Sequence, residues 1–427
     1  MVKRILAIAF IYLCTSIAWF ILGGSVSVRT ETQDRKLKSS VGQLWGTIQR
    51  QRAPKAYYET VQERKVETAQ GNKTTTEIVE EKIIHDLSLD STDVDVNLQL
   101  DYRRKGLLWY STYRVGFAAK YRIVNATRET RDLFFIFAFP VENAVYDDFH
   151  FSVGGKEIGD IQIESGRMKR AVRLAPGQAE EIRVSYKSQG MDQWWYDFGD
   201  GVSQVKNFSL RMKTDFDKID FPQESISPTL KSKSGAGWTL EWKYSNLLSG
   251  VQIGMVMPKK LNPGPWVSDV TFTAPISLFL FFFLLFVLTT VQEVKIHPMN
   301  YFFIGAAFFS FHLLLAYLVD HVSIHQAFAI CSAVSVALVV SYMRLVVNLR
   351  FALVEIAVSQ LVYLVLFSYT FFFEGYTGLA ITILCILTLF IVMQFTGRVD
   401  WAEIFRKNTP PAKPDLPPIR RISPPML

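Results

Sequence analysis

Ala274–Val291 reads APISLFLFFFLLFVLTTV, an apolar run without a single charged residue. A helix needs about 20 such residues to cross the hydrocarbon core of a bilayer. Working outward, similar segments occupy Tyr301–Val319, Gln326–Met343, Phe351–Phe373 and Gly378–Phe395, and one more lies near the start at Ile5–Leu22. Buried helices of soluble proteins are rarely so long and so poor in charge, let alone six times over. The sequence therefore predicts an α+β membrane protein with one N-terminal and five C-terminal transmembrane helices. A large polar domain sits between the first and second.

Orientation follows from the basic residues, which favour the cytoplasmic ends of spans. Lys3 and Arg4 precede the first span. Lys295, then Arg344 and Arg350, then Arg398, Arg406 and Lys407 fall in every second loop. The intervening loops, Val319–His325 and Phe373–Thr377, contain no Lys or Arg. Both termini are expected in the cytoplasm and the polar domain outside. The expected division is an anchor over 1–24, an exported domain over 25–273, a five-helix block over 274–396 and a disordered tail over 397–427 with seven prolines. A cleaved signal peptide is the alternative for Ile5–Leu22. No Ala-x-Ala site follows it, and the bulky Leu13 before Cys14 argues against a lipoprotein.

The net charge of +7 is dispersed along the chain and makes no case for nucleic acid. All three cysteines, Cys14, Cys331 and Cys385, lie in expected spans, so the exported domain has no disulfide. Membrane lipids are the one partner that the spans themselves require.

Within the exported domain, Leu37, Val41, Leu44, Trp45 and Ile48 recur at helical spacing, as in a short amphipathic helix just outside the membrane. Glu67–Glu80 reads as a hairpin or mobile loop around Gly71-Asn72. Strict alternation then starts at Asp93–Leu100 and recurs at Tyr113–Val124, Leu133–Phe139, Asp148–Val153, Ile161–Glu164, Ala171–Leu174, Glu181–Tyr186 and Asn207–Lys213. Turn signals at Gly154-Gly155, Pro176-Gly177 and Gly199–Gly201 separate these runs, which favours a sandwich-like antiparallel β-domain. Ala175–Gly177 followed by Ile182–Tyr186 resembles an edge turn and strand of such a sandwich. Trp238–Met257 continues the pattern, and a hinge over Pro258–Pro265 leads back to the membrane.

No nucleophile elbow, zinc-protease helix, P-loop, dinucleotide fingerprint or Cys-x-x-Cys is present. No cofactor or metal is expected. Trp194-Trp195-Tyr196 is readable as an aromatic platform for sugar or lipid, or as core or interfacial packing. Asp320-His321 with His325 is readable as a metal or proton site at the mouth of the third and fourth spans, or as a solvated loop. Arg344 and Glu355 suit a pair that stabilises the bundle, and Gly305 suits close helix packing.

Several of these residues, together with others, carry a family resemblance. Ile296-His297-Pro298 with Tyr301 and Gly305 is followed by Leu313–Leu315 running to Asp320-His321. Glu374 with Tyr376 comes next, and the last span closes on Met393, Thr396, Arg398 and Asp400-Trp401. In this order and spacing the block resembles the CreD family of bacterial inner-membrane proteins. Trp45-Gly46 with Gln49 resembles that family's segment just outside the first span, although the family's following Gly-Pro is here Ala53-Pro54. Glu374-Gly375-Tyr376 likewise replaces the usual Glu-Asp-Tyr.

The resemblance implies an inner-membrane location, a role in envelope integrity, colicin tolerance and two-component control, and no enzymatic activity. It also singles out His297, Asp320, His321, Glu374, Asp400 and Trp401 as candidate functional residues beside Trp194 and Trp195. Two functions follow as expectations. One is a non-enzymatic envelope stress-response protein whose periplasmic domain binds an envelope polymer or partner protein. The other is a transporter or lipid-handling protein with a pathway through the C-terminal helices. A membrane hydrolase has less support, since no nucleophile–base pair stands out.

Overall fold

The computed structural model describes residues 2–70, 73–199, 201, 203–373 and 375–397. Within it the chain forms two compact units, Thr32–Asn262 and the combination of Met1–Glu31 with Pro263–Leu427. Six helices are long and apolar enough to cross a membrane, and a large β-rich domain lies between the first and second. The expected fold class is the observed one.

The helices are α1 (Val2–Trp45), α2 (Pro263–Val291), α3 (Pro298–Leu318), α4 (Ile324–Val346), α5 (Leu349–Phe372) and α6 (Thr377–Thr396). Two bounds differ from expectation. The amphipathic stretch after the anchor is not a separate helix, because nothing between Gly23 and Trp45 breaks α1. Ile48 falls beyond its end. The hinge before α2 is also shorter than expected: Pro263 opens the helix, at a position where proline's missing N–H costs nothing.

Aromatic rings fill the bundle core. Phe281 meets Phe308 at 4.8 Å and Trp266 meets Phe372 at 4.5 Å between centroids. Gly305 sits where an added Cβ would lie 3.3 Å from Thr15 and 3.5 Å from Phe282, the small-residue packing expected of it. Twice α5 widens into π turns, at Ala352–Ile356 and Leu361–Leu366.

The β-domain strands run in chain order from β1 (Gln49–Arg52), β2 (Lys55–Gln70), β3 (Lys73–Leu87), β4 (Ser91–Lys105) and β5 (Leu108–Val124). They continue with β6 (Arg131–Ala138), β7 (Asp147–Val153), β8 (Lys156–Glu157), β9 (Ile163–Glu164), β10 (Arg167–Leu174) and β11 (Ala179–Met191). The last are β12 (Gln193–Asp197), β13 (Ser203–Thr214), β14 (Leu230–Ser234), β15 (Gly237–Ser249) and β16 (Ile253–Val256).

One sheet has the order β14-β15-β13-β4-β5-β11-β7-β8, a second β3-β2-β6-β10-β9, and a third β1-β12-β16. The first two face each other through rings. Phe117 lies 6.3 Å from Phe137, Tyr121 5.8 Å from Phe135, and Phe151 6.4 Å from Phe135. β2 and β3 form the hairpin expected over Glu67–Glu80, with Gly71-Asn72 outside the described residues. β11 is not an edge strand. It lies between β5 and β7, because Ile182, Val184 and Tyr186 all belong to the sandwich core.

Candidate functional site

Three strands of the large sheet bring six residues into two rows on its outer face. Asn97, Gly116 and Lys187 form one row across β4, β5 and β11, and Gln99, Arg114 and Gln189 form the next. Gly116 presents no side chain, so the surface is hollow there. An added Cβ would find only Asn97, at 3.9 Å. Trp45 at the end of α1, Val145 and Asp147 rise around the hollow, and the result is a pocket of about 500 Å³.

Local chemistry explains why α1 ends beside it. Gly46 adopts φ +119°, and a Cβ there would strike the carbonyl of Gln189, so only glycine allows the chain to turn into β1 at this point. β1 then carries Gln49 inward, fully buried. Its amide nitrogen donates to Ser188 Oγ at 2.9 Å and to the Gln189 carbonyl at 2.6 Å. Two residues on, Gln51 joins both facing sheets. It accepts from the Tyr186 hydroxyl at 2.7 Å and donates to the Ala138 carbonyl at 3.1 Å.

The wall carrying Val145 is held from beneath. Ser188 Oγ donates to the Val145 carbonyl at 2.8 Å. Tyr146 bonds both backbone groups of Val141 and meets Tyr186 edge-on at 5.2 Å. Burial pushes its hydroxyl up to about 12.

The rim is charged. Arg103 lies 3.5 Å over the Trp45 ring and Arg114 5.9 Å from it, and Asp101 pairs with both, at 3.0 and 3.9 Å. Lys187 pairs with Asp148 at 2.5 Å. That hydrogen bond and the opposite charges raise the lysine above its ordinary value and hold the carboxyl below its own. Both groups therefore stay ionised at neutral pH. Three buried atoms at this end of the domain have no partner: the indole N–H of Trp45 and the side-chain oxygens of Gln49 and Gln189. Unsatisfied buried polar atoms are rare, and at a pocket they mark hydrogen bonds left for a ligand or water.

Trp194 and Trp195 lie elsewhere. β12 runs between β1 and β16, and Trp194, Trp195 and Tyr196 are 0%, 6% and 1% exposed. Consecutive burial on both faces makes this segment core, so it is not an aromatic platform.

In the bundle, His297 caps α3, its Nδ1 accepting from the Met299 N–H at 3.2 Å. Asp320 forms an ion pair with Arg29 of α1 at 3.4 Å, and Arg29 also donates to the Ala316 carbonyl at 3.0 Å. His321 is exposed, while His325 stacks on Phe372 at 4.7 Å. Asp320, His321 and His325 therefore do not converge. Among the described residues no group of three or more His, Cys, Asp or Glu side chains could hold a metal ion. Arg344 and Glu355 form no ion pair: Arg344 is exposed, and one Glu355 carboxylate oxygen is buried without a partner. Glu374, Arg398, Asp400, Trp401 and the Pro-rich tail lie outside the described residues.

Residues 273–402 match the family model described as inner membrane protein CreD. Over that segment, less than a third of the chain, the protein is similar to the CreD family. That similarity and the six candidate spans support a multi-pass inner-membrane protein. No curated protein matches it. A Legionella pneumophila crystal structure, provisionally described as a nutrient binding protein, aligns over 45% of this chain and 73% of that one. Its 10% identity and TM-score of 0.29 carry no argument. The CreD match covers the bundle, whereas the pocket lies in the β-domain. Of the pocket's residues only Trp45 was singled out by the sequence, in the Trp45-Gly46 and Gln49 fragment. Gly116, Arg114, Lys187 and Gln189 carried no signal of their own.

Proposed function

We propose that this CreD-like protein is a non-enzymatic component of envelope integrity and stress response. Its β-domain faces the periplasm and binds an envelope component or partner protein in the Trp45–Gln189 pocket. The observation that carries this reading is the pocket itself. It is an open polar hollow on the sheet's outer face, lined by Trp45 and Gln189, whose indole N–H and side-chain oxygen are unpartnered. Concave surfaces with convergent polar groups suit recognition.

The test is photo-crosslinking in cells from probes at Val145 and Asn97, with and without Gly116→Phe. A discrete captured species that Gly116→Phe removes is the expected result. Capture that ignores the filled pocket, or no capture at either probe, would overturn the assignment.

A pathway through the helices is the second reading. It is favoured by buried unpartnered atoms on membrane-length segments: His312 Nε2, Gln360 Oε1 and Glu355 Oε2. Under that reading Gly116→Phe leaves function intact, while Glu355→Gln abolishes it at normal protein level.

A further inference from the structure

Near the first turns of α1, the bundle leaves a groove between α1 and α2 that is almost wholly apolar. Ile5, Ile8 and Tyr12 form one wall, Phe279, Phe283 and Phe286 the other, and the space between is about 310 Å³. Ala9 keeps its middle open. Phe279 and Phe283 stack in parallel, 6.2 Å apart, and both rings stay substantially exposed. In a bilayer, a groove on a transmembrane surface fills with a lipid chain. Apolar fit alone retains no particular lipid, because bulk acyl tails are as apolar as the groove.

The end of the groove supplies what apolar fit lacks. Arg4 holds its guanidinium 5.7 Å over Phe286, and one terminal nitrogen donates to Thr289 Oγ1 at 3.2 Å and to the Tyr301 hydroxyl at 3.5 Å. Its Nε–H is buried with no acceptor. Among the described residues no carboxylate pairs with Arg4. Lys3 is exposed beside it, and the first turn of α1 adds the positive end of a helix dipole. Two cations and an unused N–H therefore stand at the mouth of a slot shaped for a hydrocarbon chain.

We propose that this corner is a binding site for one anionic phospholipid. Its phosphate engages Arg4 and Lys3, and one acyl chain lies along Ile5–Tyr12. The site belongs to the bundle and does not depend on what the β-domain binds.

Native mass spectrometry of the full-length protein in detergent tests it, with dioleoylphosphatidylglycerol and dioleoylphosphatidylcholine titrated separately. One phosphatidylglycerol should be retained per chain at concentrations where phosphatidylcholine is lost. Arg4→Gln should weaken that retention about fivefold, the effect of one basic residue at an anionic surface. Because Arg4 also bonds α2 and α3, Ala9→Trp serves as a second variant, filling the groove with Arg4 in place. It should abolish selective retention while thermal melting followed by circular dichroism stays unchanged. Equal retention of the two lipids, wild-type binding by either folded variant, or a lipid-free dimer occupying the groove would each overturn the proposal.

Discussion

In the β-domain, buried polar side chains reach across the fold. Gln51 ties strands of two sheets together, Gln49 closes β1 onto β11, and Asn125 bonds the carbonyls of Glu129 and Leu174. In the helical bundle most hydroxyls turn back to their own helix: Thr15 to Ile11, Ser332 to Phe328, Thr388 to Leu384. Few cross between helices, among them Ser335 to the Ala307 carbonyl at 2.8 Å and Gln360 to Ser335 at 3.0 Å. A strand end has backbone groups that need partners from elsewhere, whereas a helix satisfies its own backbone. Polar residues therefore set the architecture in one unit and only trim the packing in the other.

The contrast predicts a ranking of mutational costs. Trp194→Ala should cost most, about 3–5 kcal/mol, by leaving a cavity where a fully buried indole stood. Pulse proteolysis of the intact protein in urea should show early cleavage of the β-domain. A mild effect would return Trp194 to the surface role that its burial rejects.

Gln51→Leu should follow at about 1–3 kcal/mol by the same assay, because it strands the Tyr186 hydroxyl and the Ala138 carbonyl in the core. Ser335→Ala should cost least, about 0.6 kcal/mol for each of the two interhelical bonds it removes, read from unfolding in a denaturing detergent. If Ser335→Ala proved as costly as Gln51→Leu, the distinction between the units would fail.

Legibility follows the same division. Spans are visible because each is apolar over its whole length, and β4 is visible because Val94, Val96 and Leu98 alternate with Asp95 and Asn97. β12 is invisible to that test: its two tryptophans and Tyr196 are buried in succession, since β1 pairs with it in parallel from a segment far away in the chain. The pocket is less visible still. Its residues come from α1, β4, β5, β7 and β11, and the hollow is made by Gly116, a residue notable only for what it lacks. Arg29 and Asp320 each look like ordinary residues at span ends until the fold pairs them.

The π turn at Ala352–Ile356 has a consequence for heredity. A π turn holds one more residue than an α turn requires, and the helix absorbs that extra residue locally. Deleting one residue there would close the turn to α geometry and leave the residues after it on their faces, whereas a deletion in an α-helical stretch rotates everything after it by about 100°, the angle of one residue at 3.6 per turn. Gln360 would keep its bond to Ser335, and the second half of α5 would offer the bundle the same face. Single-residue deletions within Ala352–Ile356 should therefore be tolerated better than single-residue deletions within the regular helix α4.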